Sequence, residues 1–506
     1  MKGNFRNFFL LILLIFFFFS TSSFAGLLET LGLGSKATSL GGAFAAYADD
    51  PFAVHYNPAG LTQINRMTIS NGIHSAFPVI KISNFLVDDE IGKWVEQGNE
   101  FDLPHDQLFS NYYDFKNAAK VVPAPHLAVA TPLTKKIFFG FGFYSPFGAE
   151  AHWNPEPSLN PGAFNATYGK CVRIAATPTL AYKVNKHLSI GAGIGLGMTE
   201  VKSERIVYLH PKIRERLQRN KNAFENAGDN GYMYRKTSAV LDSVNRKAVA
   251  ELLDLFNYSF NVGLMFKPNE KVTFGVTYRS RTRVELEGEL EVEGIGSYEG
   301  IPTKTDAETT FDNPAQWQFG VRCQPTENFS IEVDYVWTNW DIIDTMAVYF
   351  DPDLLDSKSD DISDKYLKNT NQLKFGFEWI ADDKLTIRGG YFYDPSPVPD
   401  DTFDMASTDV DKSVYTLGVG VKCPELSKGR LHPLLQGDIS IDGVFQFITS
   451  YEERQVGHIG EGSESLNKSY NFEYEEDLGL ESYGTQVSLN AEMHIWAVGL
   501  TLNYMF

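Results

Sequence analysis

The stretch GSKATSLGGAFAAYADDPFAVHYNPAGL, Gly34–Leu61, differs in pattern from everything that follows it. It lacks the period-two alternation of a strand, and its small apolar residues recur near helical spacing, which predicts a short, tightly packed helix. Asp49, Asp50 and Pro51 are expected to end that helix. Asn57–Gly60 is predicted to be a turn, because the residue before a proline is disfavoured in the helical region. A compact segment of this kind ahead of many strands predicts a plug inside a barrel.

The overall composition limits the class of protein. The chain has 506 residues, 43% of them hydrophobic, and a formal net charge of −20, so it lacks the basic character that a nucleic-acid partner requires. Three cysteines in this length argue against a disulfide scaffold, and their spacing does not match that of metal ligands. The ten histidines lack zinc-site spacing, and neither a nucleophile elbow nor a phosphate loop is present. We therefore predict no enzyme activity, no metal site and no cofactor.

The amino terminus has the features of a secretory signal. Lys2 and Arg6 supply positive charge, Phe8–Phe19 is apolar, and Ser23–Ala25 forms a small-residue cleavage box. We predict a signal peptide over residues 1–25. Beyond it no apolar run approaches the ~18 residues of a spanning helix, so the exported chain is either soluble or crosses a membrane as β-strands.

The rest of the chain alternates between apolar and polar residues with period two. In Leu373–Trp379 the odd positions are bulky and apolar, and Lys271–Ser280 and Leu188–Thr199 repeat the pattern. Such alternation places side chains on two opposite faces of a strand. The last strand, Ile495–Phe506, ends on an aromatic residue.

The links between these strands fall into two lengths. Short turns join some of them, at Val184–His187, Lys267–Lys271, Pro325–Asn328 and Ala381–Lys384. Long polar links join others, at Pro78–Lys120, Gly148–Lys170, Val201–Phe256, Asp341–Thr370 and Tyr451–Gly484. Short turns at one end and long loops at the other are typical of outer-membrane barrels, which close because lipid cannot satisfy a strand edge.

We predict fourteen antiparallel strands in an all-β transmembrane barrel. Their expected starts are Arg66, Val121, Lys136, Lys170, His187, Asn257, Lys271, Phe311, Phe329, Asn371, Lys384, Asp411, Gly437 and Met493. The alternative, a soluble exported β-sandwich, is disfavoured by the terminal Phe506 and by the asymmetry of the loops. Within the long link over residues 201–256 we expect helices at Ile213–Asn222 and Ala239–Leu255, which form either a lid at the outer mouth or a plain solvated loop.

Several motifs resemble one known family. Its hatch motifs match at Leu40–Phe44, Asp49–Pro51 and Tyr56–Leu61, and its barrel strands at Pro125–Ala130, Thr277–Ser280, Arg388–Tyr391 and Asp394–Pro399. On these residues the chain resembles the FadL-type outer-membrane transporters of long-chain fatty acids and other hydrophobic compounds.

The resemblance implies a fold and a mechanism. Residues 26–65 are expected to form a small helical hatch that plugs the lumen, and residues 66–506 a fourteen-stranded barrel. The hatch residues carried over are Gly41, Gly42, Asp49, Asp50, Asn57, Pro58 and Ala59. The third strand, Ile137–Tyr144, is expected to kink inward at Gly140 or Gly142 and open a lateral gate, although these glycines also suit crowding beneath the plug.

The same resemblance implies the protein's surroundings and partners. We expect a monomer in the outer membrane of a Gram-negative cell, in contact with lipid and lipopolysaccharide. The insertion machinery is expected to read the terminal Phe506. The ligand is expected to be a long-chain fatty acid or an aromatic or aliphatic hydrocarbon, taken up passively. An adhesin or receptor barrel that acts through its outer loops is the alternative from another functional class.

Alternation also predicts which cations face the lumen. They are Arg173, Arg279, Arg281, Arg283, Arg322, Lys374 and Arg388. An inward cation can bind a carboxylate through a charge-assisted hydrogen bond, and we select Arg279, Arg388 and Lys374 as ligand-binding candidates. The alternative is that these cations pair with inward acids such as Glu332, Asp334 and Glu378.

Overall fold

The computed structural model describes residues 32–89, 111–118, 120–209, 211–351, 361–406, 408–423, 437–457, 464–470 and 485–506. The predicted signal peptide, residues 1–25, lies outside the described residues.

The described residues form one antiparallel sheet of twenty strands that closes on itself. Their bounds are β1 Thr68–Asp89, β2 Tyr113–Lys116, β3 Val122–Pro132, β4 Ile137–His152, β5 Tyr168–Lys183, β6 Leu188–Ile206, β7 Lys247–Phe266, β8 Val272–Arg279, β9 Thr282–Val292, β10 Lys304–Asn313, β11 Gln316–Thr326, β12 Phe329–Thr338, β13 Thr345–Asp351, β14 Asp361–Asp364, β15 Thr370–Ile380, β16 Leu385–Asp394, β17 Lys412–Lys422, β18 Asp438–Ser450, β19 Arg454–Val456 and β20 Thr485–Met505.

These strands occupy fourteen positions around the wall. Consecutive strands share one position in the pairs β2–β3, β8–β9, β10–β11, β12–β13, β14–β15 and β18–β19. The first strand, β1, pairs with both β3 and the last strand, β20, and this pairing closes the barrel. The prediction of a fourteen-stranded antiparallel barrel is confirmed.

Helices are few and short. They are α1 Ser35–Ser39, α2 Ala53–Tyr56, α3 Pro211–Ala227, α4 Tyr232–Ser243 and α5 Glu464–Tyr470, with 3-10 turns at Pro58–Gln63, Pro161–Phe164 and Trp340–Ile342. Within the described part of the chain, no helix combines the length and the apolar character needed to span a membrane.

Apolar side chains point out of the barrel and polar ones point in. On β15, Leu373, Phe375, Phe377 and Trp379 are exposed on the outer surface. On β20, the apolar side chains from Trp496 to Leu502 on the same face are exposed as well. An apolar band outside and a polar lumen inside are the pattern of a barrel in a bilayer.

Five predicted strand starts fall well inside strand positions that begin earlier. They are Val121, Asn257, Phe311, Asn371 and Met493, and the positions begin at Tyr113, Lys247, Lys304, Asp361 and Thr485. The predicted helix over Ala239–Leu255 is therefore wrong beyond residue 243, where α4 ends. Residues 247–256 instead extend β7, in which residues 247–254 pair with β6 and residues 248–253 pair with β9. Strand pairing overrides the local helical spacing here.

The segment over residues 33–64, here named the lumenal segment, lies inside the barrel. Its apolar side chains, including Phe44, Phe52 and Leu61, are fully buried. They form a core with inward residues of the wall such as Ala128 and Phe138. The lumen at this level is thus filled by protein.

Inward-facing glycines make room for the lumenal segment on most sides of the wall. These eight residues, here named the glycine ring, are Gly140, Gly191, Gly263, Gly275, Gly320, Gly376, Gly390 and Gly418. A Cβ atom at Gly275 would overlap the carbonyl oxygen of Ala45, and one at Gly390 would overlap the backbone of Gly41. Glycine permits this close approach of two backbones because it has no side chain.

A bulky residue in the glycine ring is expected to displace the lumenal segment. Gly275→Val should destabilise the folded barrel by about 3 kcal/mol, the upper end for overpacking, because the backbone oxygen of Ala45 cannot yield. The measurement is the urea midpoint for unfolding from lipid vesicles. Gly443→Val is the matched control, since nothing lies within 4 Å of a Cβ there; equal midpoints for the two variants would contradict the packing argument.

Candidate functional site in the barrel lumen

Two acidic residues of β12 hold the backbone of the lumenal segment. Asp334 Oδ2 accepts hydrogen bonds from the N–H groups of Phe44 and Ala45, both at 3.0 Å. Glu332 Oε1 accepts from Ala46 N–H at 2.7 Å and from the next amide at 3.3 Å. Both acids are buried. A hydrogen bond of this kind contributes about 0.5–1.5 kcal/mol, and the four bonds together make the pair of acids a strong anchor.

Tyr47 links the anchor to a second polar cluster. The Arg322 guanidinium lies 3.5 Å from the centre of the Tyr47 ring, and the Tyr47 hydroxyl donates to Glu378. Lys36 Nζ lies 2.7 Å from Asp49 Oδ1 and 4.5 Å from the same ring centre. The lumenal segment is therefore bound through charges as well as through its apolar core.

Asn57 ties the lumenal segment to the barrel wall. Its Nδ2 donates to Ala45 O at 2.6 Å within the segment and to Leu264 O of β7 at 3.1 Å. Its Oδ1 accepts from Ala59 N–H at 3.1 Å, which caps the 3-10 turn that begins at Pro58. The predicted hatch residues Asn57, Pro58 and Ala59 thus form one bridging unit.

The other predicted hatch residues shape turns. Asp50 Oδ1 accepts from Phe52 N–H at 2.8 Å, a turn-forming bond. Gly41 and Gly42 have φ of 65° and 72°, the left-handed region that favours glycine. Among the described residues no group of acids, histidines or cysteines is arranged to hold a metal.

The three candidate ligand-binding cations lie in two places. Arg388 is buried between Glu378, at 2.7 Å, and Asp442, at 2.6 Å. Arg388 does not line the lumenal cavity. Its contacts match the alternative prediction, in which the inward cations pair with inward acids. Arg279 and Lys374, in contrast, both line the cavity.

This cavity lies between the lumenal segment and the outer loops. Gly41, Gly42, His55 and Tyr56 contribute to its lining from the lumenal segment, and Trp340, Phe392, Pro395 and Pro397 from elsewhere in the chain. Arg279 donates to His55 O at 3.2 Å, to Gln316 at 3.0 Å and to Gln318 at 3.1 Å. The Lys374 ammonium lies 4.8 Å from the Phe392 ring centre. The cavity thus combines aromatic surface with cations.

A loop held by ion pairs lies beside Pro395 and Pro397, which line the cavity. Lys412, fully buried and part of the lining, pairs with Asp409 and lies 3.5 Å from Asp394. Arg454 donates to Val398 O and to Asp400, which holds the Asp394–Pro399 motif in place. Buried ion pairs of this kind fix a loop conformation once it has formed.

Two of the predicted inward cations point outward. The side chains of Arg281 and Arg283 are 68% and 65% exposed and lie near Asp312, at 3.8 Å, and Glu285, at 2.8 Å. The prediction is wrong because the strand ends at Arg279 and resumes at Thr282, which shifts the alternation by one residue. Arg173, by contrast, is buried and lines the cavity.

The third barrel strand, β4, has its irregularity beyond the two glycines proposed for it. Gly140 and Gly142 pair regularly with both β3 and β5. Pairing with β3 ends at Phe143, and the register with β5 shifts between Tyr144 and Phe147. A Cβ at Gly140 would meet Val54 and Leu61 of the lumenal segment, which fits the crowding explanation.

Beyond Phe143 the wall is open on one side of β4. Residues 122–126 of β3 have partners on β1 but none on β4. Tyr144, Pro146 and Phe147, at this break, line the cavity. The cavity therefore reaches the wall where β3 and β4 separate.

The link over residues 201–256 contains a helical hairpin. Its helices α3 and α4 pack on each other through Ile213 and Leu217, with Val240 and Leu241 opposite, and Leu209 before α3 joins this core. Sequence reasoning placed the first helix correctly, at Ile213–Asn222 within α3. Whether the hairpin acts as a lid stays a prediction.

The anchoring role of Glu332 and Asp334 was missed by sequence reasoning, which assigned these acids to inward cations. The signal available in the sequence was a pair of acids two positions apart, which places both on the inward face of one strand. Their partners are backbone amides, which no side-chain pattern reveals.

Comparison with known proteins gives one family. Residues 20–427 match the family model described as outer membrane protein transport protein (OMPP1/FadL/TodX). The chain is 22% identical over 393 residues to the long-chain fatty acid transport protein of Escherichia coli O6:H1, covering 74% of this chain and 78% of that protein. It is 23% identical over 403 residues to outer membrane protein P1 of Haemophilus influenzae, covering 77% of each.

Solved structures share the fold. A FadL homologue of Pseudomonas aeruginosa matches with a TM-score of 0.68 and 19% identity, covering 96% of this chain and 100% of that chain. The Pseudomonas putida toluene transporter TodX matches with a TM-score of 0.59 and 16% identity, covering 96% and 100%.

Loss of the Asp334 carboxyl group is expected to loosen the lumenal segment. Asp334→Ala leaves two buried N–H groups unpaired, at a cost of about 1–3 kcal/mol for each. Planar-bilayer recordings should then show larger or more frequent ion-conducting openings than those of the unaltered protein. Glu287→Ala, which removes an exposed acid of β9, should leave the recordings unchanged; quiet recordings from Asp334→Ala would refute the anchoring role.

Proposed function

The chain belongs to the outer membrane protein transport family that includes FadL and TodX, and we propose that it is a channel for passive uptake of long-chain fatty acids or other hydrophobic molecules. Its place is the outer membrane. Members of the family are transport proteins, which confirms the expectation that the chain is not an enzyme. A monomeric barrel, contacts with lipopolysaccharide and reading of Phe506 by the insertion machinery belong to the same proposal.

One observation carries the proposal. A single cavity runs from the lumenal segment, at His55 and Tyr56, to the break in the wall at Tyr144 and Phe147. An apolar molecule gains little from a water-filled pore, whereas a partly apolar pocket with a few polar groups gives it a favourable site. A cavity that touches the wall break also gives it a route into the bilayer.

The proposed path has three stages. The ligand is captured among the outer loops and enters the cavity, where Arg279 and Lys374 orient a carboxylate through charge-assisted hydrogen bonds. The lumenal segment, acting as the hatch predicted over residues 26–65, then shifts. The ligand leaves sideways between β3 and β4 beyond Phe143, and diffusion down its gradient supplies the driving force.

The relatives differ in the class of ligand that their names give. The Escherichia coli relative is named for long-chain fatty acids and the Pseudomonas putida structure for toluene. The cations Arg279 and Lys374 in this cavity support an acid over a neutral hydrocarbon.

Uptake of labelled oleate and of toluene, in a Gram-negative host lacking its own fatty-acid channel, tests the function. We expect oleate to enter through the unaltered protein, and Asn57→Ala to lower its uptake at least tenfold, since three hydrogen bonds of about 0.5–1.5 kcal/mol each are lost. Toluene entry alone would change the ligand class. Entry of neither, with the barrel folded in the outer membrane, would refute transport of these ligands and favour the receptor alternative.

Removal of the Lys374 charge tests the proposed carboxylate site. Lys374→Met should lower oleate uptake at limiting concentration about tenfold, because a charge-assisted hydrogen bond contributes about 1.5–3 kcal/mol. Toluene uptake, if present, should not change. Lys384→Met, in an exposed turn between β15 and β16, is the matched control; equal oleate uptake by both variants would exclude Lys374 from the site.

A further inference from the structure

The wall contains a second break, between β7 and the strand position shared by β8 and β9. β7 pairs with β8 from Phe266 to Asn261 and with β9 from Leu253 to Ala248. Residues 254–260 between these two ladders have no strand partner on this side. At the lower edge Ser280 N–H still donates to Phe260 O, at 2.9 Å. At the upper edge Glu285 N–H donates to the side chain of Asp254, at 3.2 Å, in place of a backbone carbonyl.

The two breaks lie at the same height in the wall. β8 ends after its eighth residue, Arg279, and the register shift in β4 follows its eighth residue, Tyr144. Both strands start from short turns at the same end of the barrel. The second break is therefore at the membrane depth where the first one begins.

The outer side of the second break is strongly apolar. Leu255, Phe256 and Tyr258 are 76%, 68% and 68% exposed, more than most outward apolar side chains of the wall. The register between β6 and β7 also shifts in this region, between Asn257 and Asp254, so that β7 bulges. In a bilayer these side chains contact acyl chains.

The inner side of the same break is polar and opens on the cavity. Ser259, Ser280 and Thr282 line the cavity at this point. The buried atoms Thr282 Oγ1 and Asn261 Oδ1 have no hydrogen-bond partner among the described residues. Buried polar atoms are nearly always paired, so this rim is suited to receive a polar group.

Arg173 supplies a cation at this rim. Its Nε donates to Asn257 Oδ1 at 2.7 Å, and its Nη2 donates to Ser259 Oγ and to Gly195 O, both at 3.2 Å. It is 2% exposed, and within the described part of the chain no carboxylate lies within 4.0 Å of it. The carboxylate of Asp254 acts on the guanidinium only through Asn257, whose Nδ2 donates to Asp254 Oδ2 at 3.0 Å. The desolvated charge is therefore only partly compensated, and the site favours an anion.

Arg173 also lies beside the first break. Its backbone oxygen accepts a hydrogen bond from Ser145 Oγ at 2.8 Å, within the irregular part of β4, and its ladder partner there is Phe147. The main chain of this residue borders one break while its side chain borders the other. The cavity therefore opens at both breaks, and the same cation, Arg173, borders each of them.

We propose that the break between β7 and β8–β9 is a second lateral port, through which a single-chain anionic amphiphile enters the cavity from the bilayer. The anionic head binds Arg173 at the polar rim, and the tail lies between the strands against Leu255, Phe256 and Tyr258. A neutral hydrocarbon gains nothing from the cation and the polar rim, so the port selects for a fatty-acid-like ligand. This port rests on the proposed transport function.

A reversible bridge across the port tests it. In a background with Cys171→Ala, Cys323→Ser and Cys423→Ser, the pair Tyr258→Cys and Arg281→Cys places two outward thiols on opposite sides of the break. A short bifunctional thiol reagent that forms reducible disulfides joins them. We expect bridging to lower about tenfold the uptake of labelled oleate that is already inserted in the outer leaflet, equal to about 1.4 kcal/mol, with recovery after dithiothreitol and no change for toluene.

The matched control joins the same two strands where they are already paired. Leu264→Cys and Val276→Cys face each other in the ladder below the break, and their bridge should leave oleate uptake unchanged. Unaltered oleate uptake through the bridged Tyr258–Arg281 variant would overturn the port while leaving the transport function intact. If the unbridged protein takes up neither ligand, the transport function itself fails. If it takes up toluene alone, the proposal that the port admits an anionic amphiphile is overturned.

Removal of the cation provides a second measurement. Arg173→Gln keeps hydrogen-bond donors toward Asn257 and Ser259 but loses the charge. We expect the oleate concentration at half-maximal uptake to rise about tenfold, with toluene uptake unchanged. An unchanged oleate dependence would remove Arg173 from the port.

Discussion

Two acids on one strand, Glu332 and Asp334, accept hydrogen bonds from the backbone N–H groups of residues 44–47. The arrangement of the lumen depends on that contact. Backbone donors buried inside a barrel have no water to bond, so they require acceptors from the wall. The acids meet this requirement only if the two backbones approach closely. The glycine ring permits that approach, which explains why the wall carries glycines at the level of the lumenal segment.

Once the lumenal segment is seated, the position of the cavity follows. Protein fills the lumen at the level of the glycine ring, and the described residues enclose a cavity between Gly42 and the loop at Pro395 and Pro397. The wall breaks bordering this space, at β3–β4 and β7–β8/β9, occur where strand pairing is lost rather than where glycines occur. Side routes for a ligand thus arise above the plug, where apolar cargo meets both cations and lipid.

Much of the barrel was predictable from sequence because period-two alternation reports directly on the two faces of a strand. The strand number, the outward face of Leu373–Trp379 and the inward position of Arg173 all follow from it. Prediction failed where the phase changes: Arg281 and Arg283 lie beyond a break that shifts alternation by one residue. Residues 247–254 show helical spacing yet pair as a strand. The carboxyl groups of Glu332 and Asp334 accept hydrogen bonds from backbone N–H groups. A contact with the backbone of a residue 290 positions away leaves no local pattern in the sequence.

We expect the amides of the lumenal segment to be held by the wall acids and released when ligand passes. Hydrogen–deuterium exchange at Phe44–Tyr47, in outer-membrane vesicles with and without oleate, measures this. Exchange at these amides should be slow without ligand, comparable to that of the strand ladder, and faster during oleate uptake. Fast exchange without ligand would contradict the anchor, and unchanged slow exchange while oleate crosses would contradict release of the plug.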